Sequence, residues 1–328
     1  MHTLFLRILA CALFLTIVAV PSVQGAEKRA QAGIPTPKSV LGQSVGADFF
    51  LATYDESLKY FQALDAASDR VELLEVGETS FGLPWHIALI SSAENLRNIE
   101  RYREIAQRLA HPEGLTDDEA RQLAIEGKAI VHIDGGLHAT EVAHAQHTIQ
   151  LGYDLVTGDD DPEIAAILDN VILILWFSIN PDGQNMVANW YRQNLGTIYE
   201  TSGTPGLYQK YIGHDNNRDF FKNNMTESKA VAKIIYNEWY PQIVYNQHQS
   251  SPGYARIVIP PYSDPLNPNI HPGVTNGLNE IGSAMGTRFA IKKMPGAISD
   301  VGFSMWWNGG CLLYTSPRPR DATLARMP

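Results

Sequence analysis

The chain is poor in the features that usually assign a protein quickly. It has two cysteines, Cys11 and Cys311, in 328 residues. A disulfide framework is therefore excluded as the source of stability, and with it the small stapled secreted folds. Basic residues are in deficit, 25 Lys and Arg against 35 Asp and Glu, for a net charge of −10. No basic patch stands out, which excludes nucleic acid and anionic membrane surfaces as expected partners. Beyond the N-terminus no apolar run approaches the roughly 20 residues that span a bilayer. Internal repeats and low-complexity tracts are lacking too. The remainder is ordinary, with 45% hydrophobic and 18% charged residues. A chain of this length can bury a sizeable core unaided.

The first 25 residues stand apart. Arg7 precedes an apolar run from Ile8 to Val20, followed by Pro21 and the small-residue site Val23-Gln24-Gly25. A positive start, a short apolar stretch and small residues before cleavage are the order of a secretory signal peptide. The chain is thus expected to be exported, periplasmic or extracellular, with no stable membrane insertion after cleavage. The run is short for a membrane anchor, and too few apolar residues precede Cys11 for a lipoprotein site. Residues 26–45, rich in Ala, Gly, Pro, Ser and Gln, read as a leader or linker. Without residues 1–25 and 311–328 the chain keeps 21 basic and 34 acidic residues, a balance near −13.

Periodicity predicts a helix over 55–67, strands at 71–76 and 85–91 joined by a turn with Gly77 and Gly82, and helices over 93–109 and 116–127. Thr116 with Glu119 three residues on forms a capping box. A short apolar strand at 129–134 ends in Gly135-Gly136, and a helix is expected from about Thr140 to Thr157. The apolar run 171–179 reads as a fully buried strand. A loop-rich region from 193 to 224 leads to a helix over 227–239, a strand at 242–246 and a helix over 274–289. Strands alternating with helices predict one open sheet, mostly parallel or mixed, with helices on both faces. Ligands of such sheets sit beyond the carboxyl ends of the strands.

Three residues with metal-binding chemistry lie there. His138 and Glu141 come just after strand 129–134, and His248 just after strand 242–246. A spacing of three lets both side chains of the pair converge on one ion, although a lone H-x-x-E also arises by chance and a lone histidine after a strand is usually structural. Two histidines and a carboxylate, with a fourth position open, are the ligand set of a catalytic zinc, and too soft a set for calcium or magnesium. Other metal patterns fail on spacing. Glu141 and His144 form one E-x-x-H where a di-iron bundle needs two, and an inverted zincin motif needs histidine where Val142 stands. His144 and His147 are expected on ordinary faces of the helix.

The ordered runs "GGLHATE" at 135–141, "NPDG" at 180–183, "NWYRQN" at 189–194, "GHDNNRDF" at 213–220 and "YNQHQSS" at 245–251 resemble the zinc carboxypeptidase family, in particular an exported bacterial branch. The resemblance covers roughly Asp55 to Gly310. It implies a catalytic domain over 46–310 that removes residues from the C-termini of peptides or proteins, a water activated by one zinc ion attacking the scissile carbonyl. It implies His138, Glu141 and His248 as zinc ligands, with Asn217 and Arg218 holding the substrate's terminal carboxylate. A planar two-donor guanidinium suits that task. Arg192 falls near the position of the arginine that steadies the oxyanion, while Asn180, Asp182 and Gly183 shape a turn, Asp182 orienting a neighbour. The family also needs a late glutamate as general base, some distance after a run like Trp306–Gly310. Residues 311–328 contain none and differ in composition from the domain before them. They are expected to be a non-native tail, the domain missing its last strand and helix and this chain inactive on its own. Glu280, Asp264 and Asp300 are the carboxylates that could replace the base, Glu280 being expected in solvent on its helix. The enzyme is expected to act as a monomer. Two other readings stay open, an amidase or deacylase of N-acyl amino acids and a non-catalytic zinc- or peptide-binding module.

Overall fold

The computed structural model describes residues 33–158, 160–208, 210, 216–220, 222–249, 255–263 and 270–300. The signal peptide, Asp264, the Trp306–Gly310 run and the tail 311–328 lie outside the described residues.

Helix α1 (Pro37–Leu41) starts on the Thr36 cap. Residues Ile34, Val40, Leu41 and Val45 pack against the main core. From residue 34 onward the expected linker is therefore part of the domain, because its few apolar side chains find a surface to cover. Helix α2 (Tyr54–Ala67) opens with a capping box of Thr53 and Glu56. Strands β1 (Val71–Glu78) and β2 (Pro84–Ile90) form an antiparallel hairpin with an irregularity between Glu75 and Gly77. The single helix expected over 93–109 is two, α3 (Ala93–Arg97) and α4 (Ile99–Ala110). Asn98 leaves helical geometry between them, at φ −108° and ψ 18°. Helix α5 (Asp117–Glu126) carries the expected Thr116–Glu119 capping box.

Strand β3 (Ala129–Asp134) leads by a turn to α6 (Ala143–Thr157). Helix α7 (Pro162–Asn170), which the run of Asp residues before it concealed, is capped by Asp161 with Pro162 at its first position. Strand β4 (Val171–Trp176) is buried along almost its whole length. The segment expected to be a turn at 180–183 is the start of a 13-residue helix, α8 (Pro181–Gln193). The Asn180 side chain accepts from the Gly183 amide, and Pro181 supplies the preset φ of a first helical residue. Asn-Pro-Asp-Gly suits a β-turn and a capped helix start equally, and the tertiary contacts decide. Beyond a 3₁₀ turn at Asn216–Arg218 come α9 (Thr226–Lys233), which runs on into a π-type turn, Ile234–Trp239, and β5 (Ile243–Asn246). A small parallel pair, β6 (Ile257–Val258) and β7 (Ala297–Ile298), flanks α10 (Pro272–Ile291).

The five-stranded sheet has the order β1-β2-β4-β3-β5. Strands β3, β4 and β5 are parallel, and β2 runs antiparallel to β4. The sheet is mixed, flanked by helices, as expected for this class. Its core stacks Tyr54 and Phe61 on Phe177, at ring centroid distances of 5.8 and 4.4 Å. Aromatic pairs in such offset geometries add to the gain from burial. Asp134 is paired in register with Trp176 on one side and Asn246 on the other. The three parallel strands therefore end together, and the segments leaving β3 and β5 are delivered to the same place. No helix among the described residues is long and apolar enough to cross a membrane.

Candidate metal centre

Gly135 and Gly136 turn the chain sharply after β3. A Cβ on Gly135 would stand 2.8 Å from the His144 carbonyl, and Gly136 has φ +81°, so neither position tolerates a larger residue without strain. The turn carries His138 and Glu141 across the carboxyl end of the sheet. Glu141 is not yet helical. Its amide donates to the His138 carbonyl, and α6 begins two residues later.

One ligand atom from each of His138, Glu141 and His248 lies within 4.8 Å of the other two, so the three could hold a metal ion. His138 Nδ1 is 2.7 Å from Glu141 Oε1, and His248 Nδ1 is 3.1 Å from Oε2. Ligands of a tetrahedral ion at about 2.0–2.2 Å stand roughly 3.4 Å apart, so little adjustment is needed. The donor set itself supplies the test of fit: two imidazole nitrogens aimed at one carboxylate either both carry protons or share a cation. Among the described residues no other histidine, cysteine or carboxylate joins them. Burial alone would raise the Glu141 pKa. The bonds with His138, His248 and the Gln249 amide outweigh it and hold the carboxyl well below its ordinary value.

The first turn of α6 is stitched to the segment after β5. Gln249 N–H donates to Glu141 Oε2 at 2.9 Å, and the Gln247 side chain meets His147 Nε2 at 3.4 Å. His144 is 7% exposed, with Nδ1 3.8 Å from Glu141 Oε2 and its ring edge-on to His248. His144 thus faces the cluster, while His147 meets Gln247 in the segment that carries His248. With α6 starting at Ala143, both fall in its first two turns, which the expected start at Thr140 obscured. Burial pushes both imidazoles below their ordinary pKa.

The Leu137 carbonyl, next to His138, accepts from the side chains of Asn180 (3.1 Å) and Asn216 (2.6 Å). Asp182 takes the Thr79 hydroxyl at 2.6 Å and the Phe81 amide at 3.0 Å, fastening the β1–β2 turn. Gly183 lets α8 approach this closely, since a Cβ there would stand 2.7 Å from the Ala139 Cβ. Gly183→Ala is expected to lower stability by about 1–3 kcal/mol through overpacking, as measured by denaturant unfolding. No local sequence pattern announces these supporting roles, because each partner is distant in the chain.

Asn217 stands beside the cluster, its Nδ2 3.4 Å from His248 Nε2, and the neighbouring Arg218 is half-buried with a bond to the Asn217 carbonyl. Arg192 is engaged elsewhere. Its guanidinium meets Glu56 at 2.6 Å and the Leu51 carbonyl at 2.6 Å, over the Phe50 ring. Leu51 and Glu141 line one small cavity, so Arg192 touches the wall of that space and not the three-residue cluster. Glu280 and Asp300 are exposed.

The Glu56 carboxyl shows what the Arg192 pair does. Burial would raise its pKa, but the bonds from Arg192 and Thr53 outweigh it and lower it below the ordinary 4.5. A lowered folded value means stability that is fully present above the ordinary pKa of about 4.5 and is lost as pH falls below it through the lower, folded pKa. Arg192→Ala is expected to lower stability by about 1 kcal/mol at pH 7, the pair being one-third exposed, and by less at pH 3. Urea unfolding at the two pH values checks this. An equal loss at both assigns the effect to packing on Phe50 instead.

A mixed sheet flanked by helices, with two histidines and a glutamate gathered beyond its parallel strand ends, is an α/β scaffold with a candidate metal site. The sequence profile of the zinc carboxypeptidase family, peptidase M14, matches residues 57–250, and the chain belongs to that family. A search of curated proteins gives no match. Among solved structures the chain resembles thrombin activatable fibrinolysis inhibitor, with 15% identity, 86% of this chain and 65% of the other covered, and a TM-score of 0.52. It also resembles the carboxypeptidase A of Helicoverpa armigera (13%, 88% and 68%, TM-score 0.50). A third is a metallo-carboxypeptidase of Pseudomonas aeruginosa (13%, 85% and 68%, TM-score 0.51). At such identities these likenesses speak for the fold alone. The chain spans 65% of the first of these proteins and 68% of the other two.

Proposed function

We propose that the protein is an exported zinc-dependent carboxypeptidase that hydrolyses the last peptide bond of peptides or proteins. His138, Glu141 and His248 would hold the ion, and the observation that carries the reading is their convergence from two parallel strand ends beside Asn217 and Arg218. When bound there, zinc supplies Lewis acidity, polarising a carbonyl and making water more nucleophilic.

The chain's own residues supply position. Arg218, with Asn217, holds the substrate's terminal carboxylate, which sets the last peptide bond at the histidine cluster and selects for a free C-terminus. An oxyanion role for Arg192 requires its Glu56 pair to open when substrate binds. The Glu141 charge offsets part of the cation and fixes the two imidazoles. Among the described residues Glu141 is the one carboxylate of the cluster, so a general base has to be supplied from outside these three residues. A positioned acid–base group contributes about 10²–10⁴-fold.

The test is to incubate the chain, with and without zinc, with N-blocked peptides, their C-terminal amides and N-acyl amino acids. Zinc-dependent release of the last residue from free-acid peptides alone supports the reading. Preference for N-acyl amino acids overturns it in favour of a deacylase. Zinc and peptide binding with no hydrolysis of any substrate makes this chain a binding module.

A further inference from the structure

Beneath the cluster lies a buried polar row that the reaction does not use. Asp134, the last residue of β3, is 2% exposed, His132 on the same strand is fully buried, and Asn246, the last residue of β5, is 5% exposed. Asp134 Oδ2 is 2.9 Å from His132 Nε2, and Asn246 Nδ2 donates to Oδ1 at 2.5 Å. A carboxylate in such a place is costly unless its oxygens are satisfied, and here each is met from a different strand. Among the described residues, Asn246 Oδ1 and His132 Nδ1 have no partner, so both side chains direct their bonding to Asp134.

The placement gives the row its meaning. His138 is four residues past Asp134, and His248 is two residues past Asn246. Between the strands' last backbone pairing and the ligand atoms the chain is irregular, and the Asp134–Asn246 bond is a side-chain tie at the strand ends themselves. Resting on the proposal that the centre binds zinc, we infer that Asp134 is a positioning residue for the metal: by bridging the ends of β3 and β5 it fixes the spacing between the His138 and His248 arms. Its hydrogen bonds go to His132 and Asn246 rather than to the three ligand side chains. Its acceptor-only character fits the task, because both oxygens can take a donor at once without a choice of orientation. An asparagine could serve as well, its oxygen facing His132 and its amide facing a rotated Asn246.

The experiment measures zinc affinity by competition with a chromophoric chelator, alongside apo-protein melting, in four forms of the full chain. These are the unsubstituted protein, Asp134→Ala, Asp134→Asn and a control, Leu168→Ala, which opens the core at the opposite end of the strands. Asp134→Ala is expected to weaken zinc binding about 10–100-fold, the usual effect of losing a group that orients ligands. Asp134→Asn should stay within about threefold of the unsubstituted protein, and the control should melt lower with unchanged affinity. If Asp134→Ala does not fold, Asn246→Ala breaks the same bridge from the other strand and should show the same weakening. The inference is overturned if the bridge-breaking variant loses no more affinity than the control, or if Asp134→Asn loses as much as Asp134→Ala. Failure of the unsubstituted chain to bind zinc overturns the metal reading itself, and this inference with it.

Discussion

His248→Ala is expected to abolish the stabilisation that zinc gives the protein. A ligand that binds only the folded state adds about 4 kcal/mol at a thousandfold excess over its dissociation constant. With His248 gone, His138 and Glu141 remain as a two-ligand fragment of one turn, and nothing from β5 reaches the ion. Melting with and without zinc should therefore diverge by many degrees for the unsubstituted chain and coincide for His248→Ala. His138→Ala should behave in the same way. Glu141→Gln should keep a weaker response, since both imidazoles stay while the charge is lost. A zinc-induced rise in melting temperature that survives His248→Ala would place the ion elsewhere.

The second large effect concerns Arg218. Removing a cation that binds a carboxylate in a shielded site costs roughly 2–5 kcal/mol, or about 30-fold or more in affinity. Arg218→Ala should impose that loss on peptides with a free C-terminus and little on the same peptides as amides, measured by titration calorimetry on the zinc-loaded chain. Equal losses on acid and amide would remove Arg218 from the carboxylate site and leave it a role in folding the 216–218 turn.

The two ligand segments are legible in the sequence because their signal is local. An apolar run ending in paired glycines announces the end of β3, and the residue types just beyond it are few enough to be read as ligands. The same holds for β5 and His248. The features that escape a sequence reading depend on partners far along the chain. Asn246 and Asp134 are separated by 112 positions, and Asn216 and Leu137 by 79; no spacing rule joins them. The start of α8 is hidden for a different reason. Asn, Pro, Asp and Gly are favoured both in turns and at capped helix starts, and contacts with distant segments, 137–139 and the β1–β2 turn among them, favour the helix. Arg192 is affected by the same ambiguity, since α8 delivers it to Glu56 rather than to the oxyanion position that the family resemblance implies.

The order of the strands has a consequence for how the centre assembles. β3 is flanked by β4 and β5, whereas β5 is paired, among the described residues, with β3 alone. His138 and Glu141 are thus set by a strand paired on both sides, while His248 follows one that is paired, among the described residues, on one side, 107 positions after Glu141. Contacts so distant form late, since a long loop must close before they contribute. On the proposed zinc site, the ion would tie the β5 arm to the β3 arm, and its binding should slow amide hydrogen exchange in Ile243–Asn246 far more than in Ala129–Asp134. If the centre binds zinc as proposed, the ion would clamp the fold as well as serve the reaction, and starvation for zinc would be felt first as fraying of one strand.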